Sequence, residues 1–350
     1  MATTCDRTKP SQNLSPRSAM NNYFACIVAF ALSLLLNFLL LPILKRGKAR
    51  QQILHYVTEH NSKNGTPTMG GIAFILAILM AGCIFCDLQN RGTIVILCVF
   101  LGYAIVGFLD DFIKVRFKRN MGLKAYQKLV VQLVIAILVA IFVYNDISIG
   151  SVLRIPFSPK QVDLGIWIVP LVVFVYLACT NGVNLTDGID GLATTTTICF
   201  LFGMILLLSK EQGLLLSVGD TYAYAQTQEV VKLCYIAIGA LVAFLLFNCN
   251  NAKVFMGDTG SLALGALVAC SAIFTRLTLF IPIVGLMFVV SCVSVILQVV
   301  YFKATKGKRI FLMAPYHHHL QQKGLSETRI CVVYATVTLL AIGILMACGV

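Results

Sequence analysis

The uncharged run LFIPIVGLMFVVSCVSVILQVVYF, residues 279–302, decides the fold class of this chain. A helix needs about 20 predominantly apolar residues to cross a hydrocarbon core of ~30 Å, and this run exceeds that length. Nine further apolar runs are candidate spans, and several are so short that they need polar flanking residues or a cavity at one end. They cover residues 23–44, 69–86, 93–109, 129–144, 164–179, 192–209, 233–247, 261–274 and 330–350. The sequence therefore predicts an all-α, polytopic membrane protein with about ten transmembrane helices.

Composition supports a membrane setting for the chain. Of its 350 residues, 59% are hydrophobic and 12% are charged, which leaves too little polar surface for a soluble globule of this size. Residues 1–21 form a hydrophilic tail without the apolar core of a cleaved signal peptide, and residues 22–350 form a single transmembrane domain. Most of the 13 cysteines lie in apolar runs, where cysteine behaves as a small hydrophobe, so we expect no structural disulfides.

The distribution of basic residues predicts the orientation in the membrane. With ten spans, the loops after the odd-numbered spans share one side and hold 18 of the 27 lysines and arginines. The positive-inside bias makes these loops cytoplasmic and both termini extracytoplasmic. This topology accounts for most of the net charge of +13, and attraction of an anionic substrate is compatible with it. The same loops hold all five histidines and the aspartates Asp110, Asp111, Asp187, Asp190 and Asp258.

Two adjacent carboxylates, Asp110 and Asp111, lie where the third span meets the cytoplasm. Carboxylates at the mouth of a membrane helix are costly unless water, a cation or a metal is present. Because successive helical side chains diverge by about 100°, the pair is not expected to share one proton. We expect separate roles, with one carboxylate facing the substrate and the other facing Lys114 or a neighbouring helix. An interfacial stop signal is the alternative interpretation.

The stretch TNGVNLTDGIDGL, residues 180–192, joins the fifth and sixth spans almost without a spacer. Its two Asp-Gly steps predict turns with open amides, and Asp187 and Asp190 share a face if the segment is helical. Asn184 and the two aspartates can accept hydrogen bonds from a base or ribose, or bind a cation. A tight turn alone explains the glycines but leaves these three acceptors without a role.

A second polar segment, FNCNNAKVFMGDTGS at residues 247–261, leads directly into the eighth span. A Gly-Asp-Thr-Gly-Ser turn at a helix N-terminus offers free amides and the positive end of the helix dipole to a phosphate. Asp258 can hold the divalent cation that bridges a diphosphate. The segment lacks the lysine of a Walker loop, so by itself it only suggests a phosphate site.

The last loop carries MAPYHHHL at residues 313–320, after a ninth span with Gln298 near its end. Consecutive histidines point in different directions, which argues against a zinc site built from all three. One or two of them can donate to phosphate oxygens or shuttle protons, while a third anchors the loop. Lys63, in KNGTPTMGG at the start of the second span, is either a phosphate or uracil contact or part of a helix entry with small residues for close packing.

Five motifs in successive predicted cytoplasmic loops make the sequence resemble the family of bacterial phospho-N-acetylmuramoyl-pentapeptide transferases. The resemblance covers residues from about 45 to 350. It implies a ten-span phosphosugar transferase domain of the polyprenyl-phosphate N-acetylhexosamine-1-phosphate transferase superfamily, usually a homodimer, that uses Mg²⁺. The motifs are GTPTMGG (65–71), GFLDD (107–111), NLTDGIDGL (184–192), FMGDTGS (255–261) and APYHHH (314–319).

The reaction implied by the resemblance transfers phospho-N-acetylmuramoyl-pentapeptide from UDP to undecaprenyl phosphate in the bacterial inner membrane, forming lipid I and UMP for peptidoglycan synthesis. The resemblance also implies residue roles. Asp110, Asp111, Asp258 and His317 are the implied catalytic residues, and Asp258 and Asp187 the implied metal ligands. The implied substrate-binding residues are Lys63, Lys114, Lys128, Asn184, Asp187, Gly188, Ile189, Asp190, Asn248, Phe255, Gly257, Gln298 and His318. The chain departs from the family pattern at Asn250 and Asn251, where a proline is common.

Alternative functions and mechanisms make different predictions. A sister enzyme that transfers a UDP-N-acetylhexosamine phosphate to a polyprenyl phosphate is the nearest alternative, and the APYHHH loop argues against it. An ion-coupled transporter is a remote alternative. It predicts carboxylates near the middle of the membrane, whereas the motif carboxylates of this chain lie at the ends of the predicted spans. We expect no nucleic-acid partner.

Within the implied transfer reaction, two chemical routes are open. The first is direct attack by the lipid phosphate with Asp110 as the base, which we favour. The second is a two-step route through a phospho-aspartate. Because the acceptor carries a long lipid tail, we also expect a groove between helices that leads from the bilayer to Asp110.

Overall fold

A computed structural model describes residues 16–46, 66–117 and 122–348 of the chain. Within these ranges the chain is helical apart from loops and one short antiparallel hairpin, β1 (Val152–Arg154) with β2 (Gln161–Asp163). The helices are α1 (Pro16–Arg46), α2 (Gly71–Phe85), α3 (Arg91–Phe117), α4 (Ala125–Asn145), α5 (Ile168–Thr186), α6 (Leu192–Val218), α7 (Thr221–Asn248), α8 (Gly257–Ile273), α9 (Ile281–Val284), α10 (Leu286–Ala304), α11 (Tyr316–Gln322) and α12 (Glu327–Ala347).

The structure confirms an all-α polytopic membrane protein. Eight of the described helices are long and apolar enough to cross a bilayer, and α2 and α8 are shorter apolar helices. These helices coincide with the apolar runs found in the sequence. The span count of ten, and the side of the membrane on which each terminus lies, stay predictions. The twelve cysteines in the described ranges are free thiols.

Several helices extend well beyond the apolar runs that predict them, and α6 and α7 show why. The run 192–209 corresponds to α6, which continues to Val218, and α7 begins at Thr221 rather than at residue 233. Asp220 caps α7 by accepting a hydrogen bond from Ala223 N at 3.0 Å. The buried Glu211 is paired with Arg154 at 3.4 Å. Because a paired charge can be buried, the helices continue through polar sequence.

The run 279–302 is a broken helix rather than one continuous span. Its first residues form the single turn α9, which has Pro282 in its first turn, and α10 starts at Leu286 after Gly285. Proline is tolerated in a first helical turn but cannot continue a preceding helix, so the segment restarts here. The hairpin β1–β2 was not anticipated from the sequence, because its strands have only three residues each.

Helix α8 lies at the centre of the molecule and positions the polar segments around it. Helices α2, α3 and α5 pack against it, and nearly all of its residues are buried. Small residues permit the close approach: a Cβ at Gly71 would lie 2.5 Å from Gly260 Cα, and a Cβ at Gly265 would lie 2.4 Å from Thr180 Cα. Close backbone contact of this kind is typical of packing between membrane helices. It brings the ends of α3 and α5 against the start of α8.

Candidate active site

Three carboxylates from two helices meet at the start of α8. Asp110 and Asp111 lie near the C-terminal end of α3, and Asp258 lies in the first turn of α8. Each offers one oxygen atom, and the three oxygens lie within 4.8 Å of one another. Asp110 and Asp111 are each only 3% exposed. We call these three residues the acidic cluster.

Asp111 is fixed to α8 by two hydrogen bonds. Its Oδ2 accepts from Thr259 N at 2.9 Å and from Thr259 Oγ1 at 2.7 Å. Gly257 has φ +73, and a Cβ there would lie 2.4 Å from Asp111 Oδ2, so this position favours glycine on both counts. Asp111 therefore faces the neighbouring helix, in agreement with separate orientations for the two adjacent carboxylates. Gly257 shapes the cluster through its backbone; a direct contact of Gly257 with substrate stays a prediction.

Asp110 is covered by the chain that follows α3. Its Oδ2 lies 2.6 Å from Lys114 Nζ, and its Oδ1 accepts from Leu123 N at 2.8 Å. Gly122 lies so close that a Cβ there would be 2.5 Å from the same oxygen. The expectation of an open groove that ends at Asp110 is therefore wrong for the described part of the chain, because Gly122 and Leu123 close over the carboxylate.

Asp258 is contacted from three other helices. Its Oδ2 accepts from Lys114 of α3 at 2.9 Å and from Lys128 of α4 at 2.8 Å, and its Oδ1 accepts from Asn184 of α5 at 2.8 Å. Asn184 also donates to Ser261 Oγ at 2.8 Å. Two cations and one amide thus hold the carboxylate in place. Asn184 uses its Nδ2 to orient Asp258, and a contact of its Oδ1 with a base or ribose stays a prediction.

Asp187 caps the C-terminal end of α5 next to the acidic cluster. Loss of water around its carboxyl raises its pKa to about 8, with further increases from the negative charges of Asp258, Asp111 and Asp190. Burial and these neighbouring charges therefore favour the protonated form of Asp187. The acidic cluster consists of Asp110, Asp111 and Asp258 and does not include Asp187. A metal bond to Asp187 stays a prediction.

Several residues assigned to nucleotide binding also fix the segment before α8. Asp190 is buried and accepts from Ala252 N at 3.0 Å. Asn248 donates to Val254 O at 3.1 Å, while Phe255 N donates to the carbonyl of Pro67 at 2.8 Å. The bond from Asn248 closes the segment 248–255 on itself, and the other two connect it to the residues before α2 and after α5. A direct contact between these residues and a nucleotide stays a prediction, as does one by the buried Ile189.

The histidine motif packs against the Asp-Gly turn that follows α5. His317 is completely buried, and a Cβ at Gly188 would lie 2.2 Å from its Nε2. The ring of His318 lies 4.3 Å from that of His317, and its Nδ1 lies 3.1 Å from Gln321 Oε1. Two motifs that are far apart in the sequence are thus joined. Only glycine at position 188 leaves room for both rings.

Burial of His317 predicts a pH effect on stability. Loss of water and the neighbouring His318 hold the pKa of His317 well below its usual 6.5, so the folded protein keeps it neutral. Below pH ~6.5 the histidine binds a proton in the unfolded chain but stays neutral in the folded chain. The free energy of unfolding therefore decreases as the pH is lowered, by at most about 1.4 kcal/mol per pH unit. Thermal unfolding at pH 7.5 and 5.5 should show a smaller decrease for His317→Gln than for the wild type. Equal decreases in the two proteins would contradict this. The comparison cancels the opposite effect of Asp187.

The two remaining predicted site residues are Gln298 and Lys63. Gln298 Oε1 accepts from Ile310 N at 3.2 Å and from Phe311 N at 2.9 Å, and so braces the loop after α10. Gln298 also lines a cavity of about 640 Å³ beside α10, together with apolar side chains, Lys303 and Arg309. Lys63 lies outside the residues that the structure describes.

Three residues of the site were missed at the level of sequence. The motif around Thr259 predicts a phosphate-binding turn, whereas its hydroxyl and amide hold Asp111. Gly107 has no side chain to suggest a role, yet a Cβ there would lie 2.1 Å from the carbonyl oxygen of Asp258. Leu123 covers Asp110 through its backbone amide, which no side-chain pattern can reveal.

Comparison with known proteins agrees with this architecture. Residues 93–276 match the family model described as Glycosyl transferase family 4, and residues 63–75 match the phospho-N-acetylmuramoyl-pentapeptide-transferase signature 1. A phospho-N-acetylmuramoyl-pentapeptide-transferase of Clostridioides difficile (strain 630) is 39% identical over 90% of this chain and 94% of its own length. A protein of the same description from Geobacillus sp. (strain WCH70) is 42% identical over 90% of this chain and 94% of its own length.

The fold and the site together define a membrane-embedded transferase with the charged residues of its site near helix ends. Both relatives cover nearly the whole chain, and the signature falls on the predicted KNGTPTMGG motif. The chain belongs to the phospho-N-acetylmuramoyl-pentapeptide-transferase family.

Proposed function

We propose that the protein transfers phospho-N-acetylmuramoyl-pentapeptide from its UDP carrier to undecaprenyl phosphate, forming lipid I and releasing UMP. The observation that carries the proposal is the acidic cluster of Asp110, Asp111 and Asp258 with Lys114 and Lys128 around it, in a chain about 40% identical to transferases of that description. The relatives and the signature favour this substrate over that of the sister N-acetylhexosamine enzymes. They give no support to the alternative of an ion-coupled transporter.

The reaction exchanges one phosphoanhydride bond for another. An oxygen of the lipid phosphate attacks the sugar-bound phosphorus of the nucleotide sugar, and the bond from that phosphorus to the bridging oxygen breaks. The electron pair of the broken bond leaves with UMP. Lys114 and Lys128 lie where they can bind the phosphate oxygens and offset the charge that develops on UMP. Direct attack with Asp110 as the base requires Gly122 and Leu123 to uncover its carboxylate.

The acidic cluster fits Mg²⁺, which prefers hard oxygen ligands such as carboxylates. Three carboxylate oxygens within 4.8 Å of one another are close enough to be shared by one small cation. Asp258 is the central ligand in this proposal, with Asp187 as the second. When bound, the ion would offset the charge of the diphosphate and of the leaving UMP.

The membrane fold and the charge distribution support the setting that we propose for the reaction. We place the protein in the bacterial inner membrane with the acidic cluster facing the cytoplasm, where soluble nucleotide sugars are available. The lipid acceptor approaches from the bilayer, and its phosphate reaches Asp110 only after Gly122 and Leu123 uncover the carboxylate. A homodimer is the assembly that we propose, by resemblance to the family.

A UMP-release assay on the purified full-length protein tests the proposed reaction. UMP should appear only when both the nucleotide sugar and undecaprenyl phosphate are present, and release should stop with EDTA and resume with Mg²⁺. UDP-N-acetylglucosamine, offered in place of the muramoyl substrate, should release little UMP. Release from that sugar alone, or release over many turnovers without a lipid acceptor, would contradict the assignment.

Isotope exchange separates the two chemical routes. Enzyme incubated with the nucleotide sugar and labelled UMP, without lipid acceptor, should leave the nucleotide sugar unlabelled if attack is direct. Incorporation of label would instead support the route through a phospho-aspartate, because only a covalent phosphosugar intermediate returns to the nucleotide sugar without the lipid.

A further inference from the structure

We propose that Lys114 is an internal counter-cation that occupies the acidic cluster between turnovers and leaves it when Mg²⁺ binds. The inference rests on the metal-dependent transfer proposed above, and it concerns the order in which charges enter the site. Lys114 thereby acts in two places: on the carboxylates in the resting protein, and on the diphosphate oxygens in the loaded one.

The geometry of the resting site supports an occupied cation position. Lys114 Nζ lies 2.6 Å from Asp110 Oδ2, 2.9 Å from Asp258 Oδ2 and 3.9 Å from Asp111 Oδ1. One ammonium group therefore reaches all three carboxylates that lie close enough to share a metal ion. Lys128 approaches the cluster differently, through an ion pair of 2.8 Å with Asp258.

Mg²⁺ and the ammonium group of Lys114 cannot occupy the cluster together. Mg²⁺ binds oxygen at about 2.0–2.1 Å. An ion held by Asp258 Oδ2 would therefore compete with Lys114 Nζ, which lies 2.9 Å from the same oxygen. Two cations at such a distance repel strongly in a partly buried site. The side chain of Lys114 is 27% exposed and has a flexible four-carbon stem, so it can withdraw without disturbing α3.

The exchange also explains how the cluster is tolerated before substrate arrives. Two of its carboxylates are nearly completely buried, and buried charges need partners. Lys114 and Lys128 supply two positive charges to three negative ones. Arrival of Mg²⁺ with a diphosphate frees Lys114 at the moment when new anionic oxygens become available to it. The lysine then contributes to substrate binding, while Mg²⁺ replaces its positive charge beside the carboxylates.

Metal affinity in the absence of substrate tests the proposal. If Lys114 competes with the ion, its removal strengthens metal binding, whereas if it supports the ion, its removal weakens metal binding. Titration of the purified full-length protein with Mn²⁺, followed by electron paramagnetic resonance, measures affinity directly. We expect Lys114→Met and Lys114→Gln to bind Mn²⁺ roughly tenfold more tightly than the wild type, because the competing charge is gone. Lys114→Arg keeps the charge and should show no such gain, and Lys128→Met should show a smaller one. Unchanged or weaker binding in both neutral variants would overturn the proposal.

Lysine labelling tests the same exchange in the unaltered chain. Acetic anhydride followed by mass spectrometry should label Lys114 several-fold more when Mg²⁺ is present, because the ion displaces the amine from the carboxylates. Lys160, exposed on the hairpin, should be labelled equally in both conditions. No increase at Lys114 would count against the exchange. Failure of the proposed reaction is distinct, since it appears as absent UMP release in the wild type and not as a change in these two measurements.

Discussion

Replacement of Asp258 by asparagine is expected to lower turnover by about 10³-fold, the largest effect of any single substitution at the site. The carboxylate accepts from Lys114 and Lys128 on one oxygen and from Asn184 on the other. Asparagine keeps the shape of the side chain but loses the negative charge that would bind Mg²⁺. A metal contributes several kcal/mol to stabilisation of the transition state, and each 1.36 kcal/mol corresponds to about tenfold in rate.

The measurement for Asp258→Asn is UMP release at saturating substrates over a range of Mg²⁺ concentrations. Asp163→Asn is the matched control, because Asp163 is an exposed aspartate on the hairpin and accepts a local hydrogen bond from Gly165 N. The control should retain wild-type turnover. Near-normal rates for Asp258→Asn at ordinary Mg²⁺ would refute the assignment of Asp258 as a metal ligand.

Local sequence located the membrane helices well but their ends poorly. In lipid the backbone N–H and C=O groups of a long apolar run have no water to bond, and a helix satisfies them internally. The runs and the helices therefore coincide. The ends of α6 and α7 depend on partners that are distant in the sequence. Glu211 pairs with Arg154, and Asp220 pairs with Arg276 at 2.9 Å. No pattern within the segment 209–233 reveals those ion pairs.

The residues of the acidic cluster were predictable from motifs, whereas their arrangement was not. Asp111 and Thr259 are joined although they lie 148 positions apart in the chain. The motif predicts Asn184 as an acceptor for the nucleotide, and it does not predict that the Nδ2 of the same side chain donates to Asp258. The difference arises because a motif gives the chemistry of a side chain, while the close approach of α3 and α5 to α8 decides what that side chain contacts.

The close approach of α3 to α8 can be tested at one glycine. In Gly107→Ala, the new Cβ would lie 2.1 Å from the carbonyl oxygen of Asp258 and 2.6 Å from Thr259 N. These are backbone atoms that cannot rotate aside, so the two helices must separate. We expect a loss of about 1–3 kcal/mol in stability from overpacking. Turnover should fall about 10²-fold, because a displacement of ~1 Å in a catalytic group has an effect of that size.

A second glycine on the same helix provides the control for Gly107→Ala. A Cβ at Gly102 would meet only the end of the flexible Ile135 side chain, at 3.5 Å. Gly102→Ala should therefore keep both its melting temperature in detergent and its UMP release, while Gly107→Ala loses in both. Equal behaviour of the two variants would show that the spacing of the carboxylates does not depend on this contact. The expected difference would instead mean that the absence of a side chain at position 107 lets α3 approach α8 closely. This approach keeps Asp110, Asp111 and Asp258 within reach of one cation.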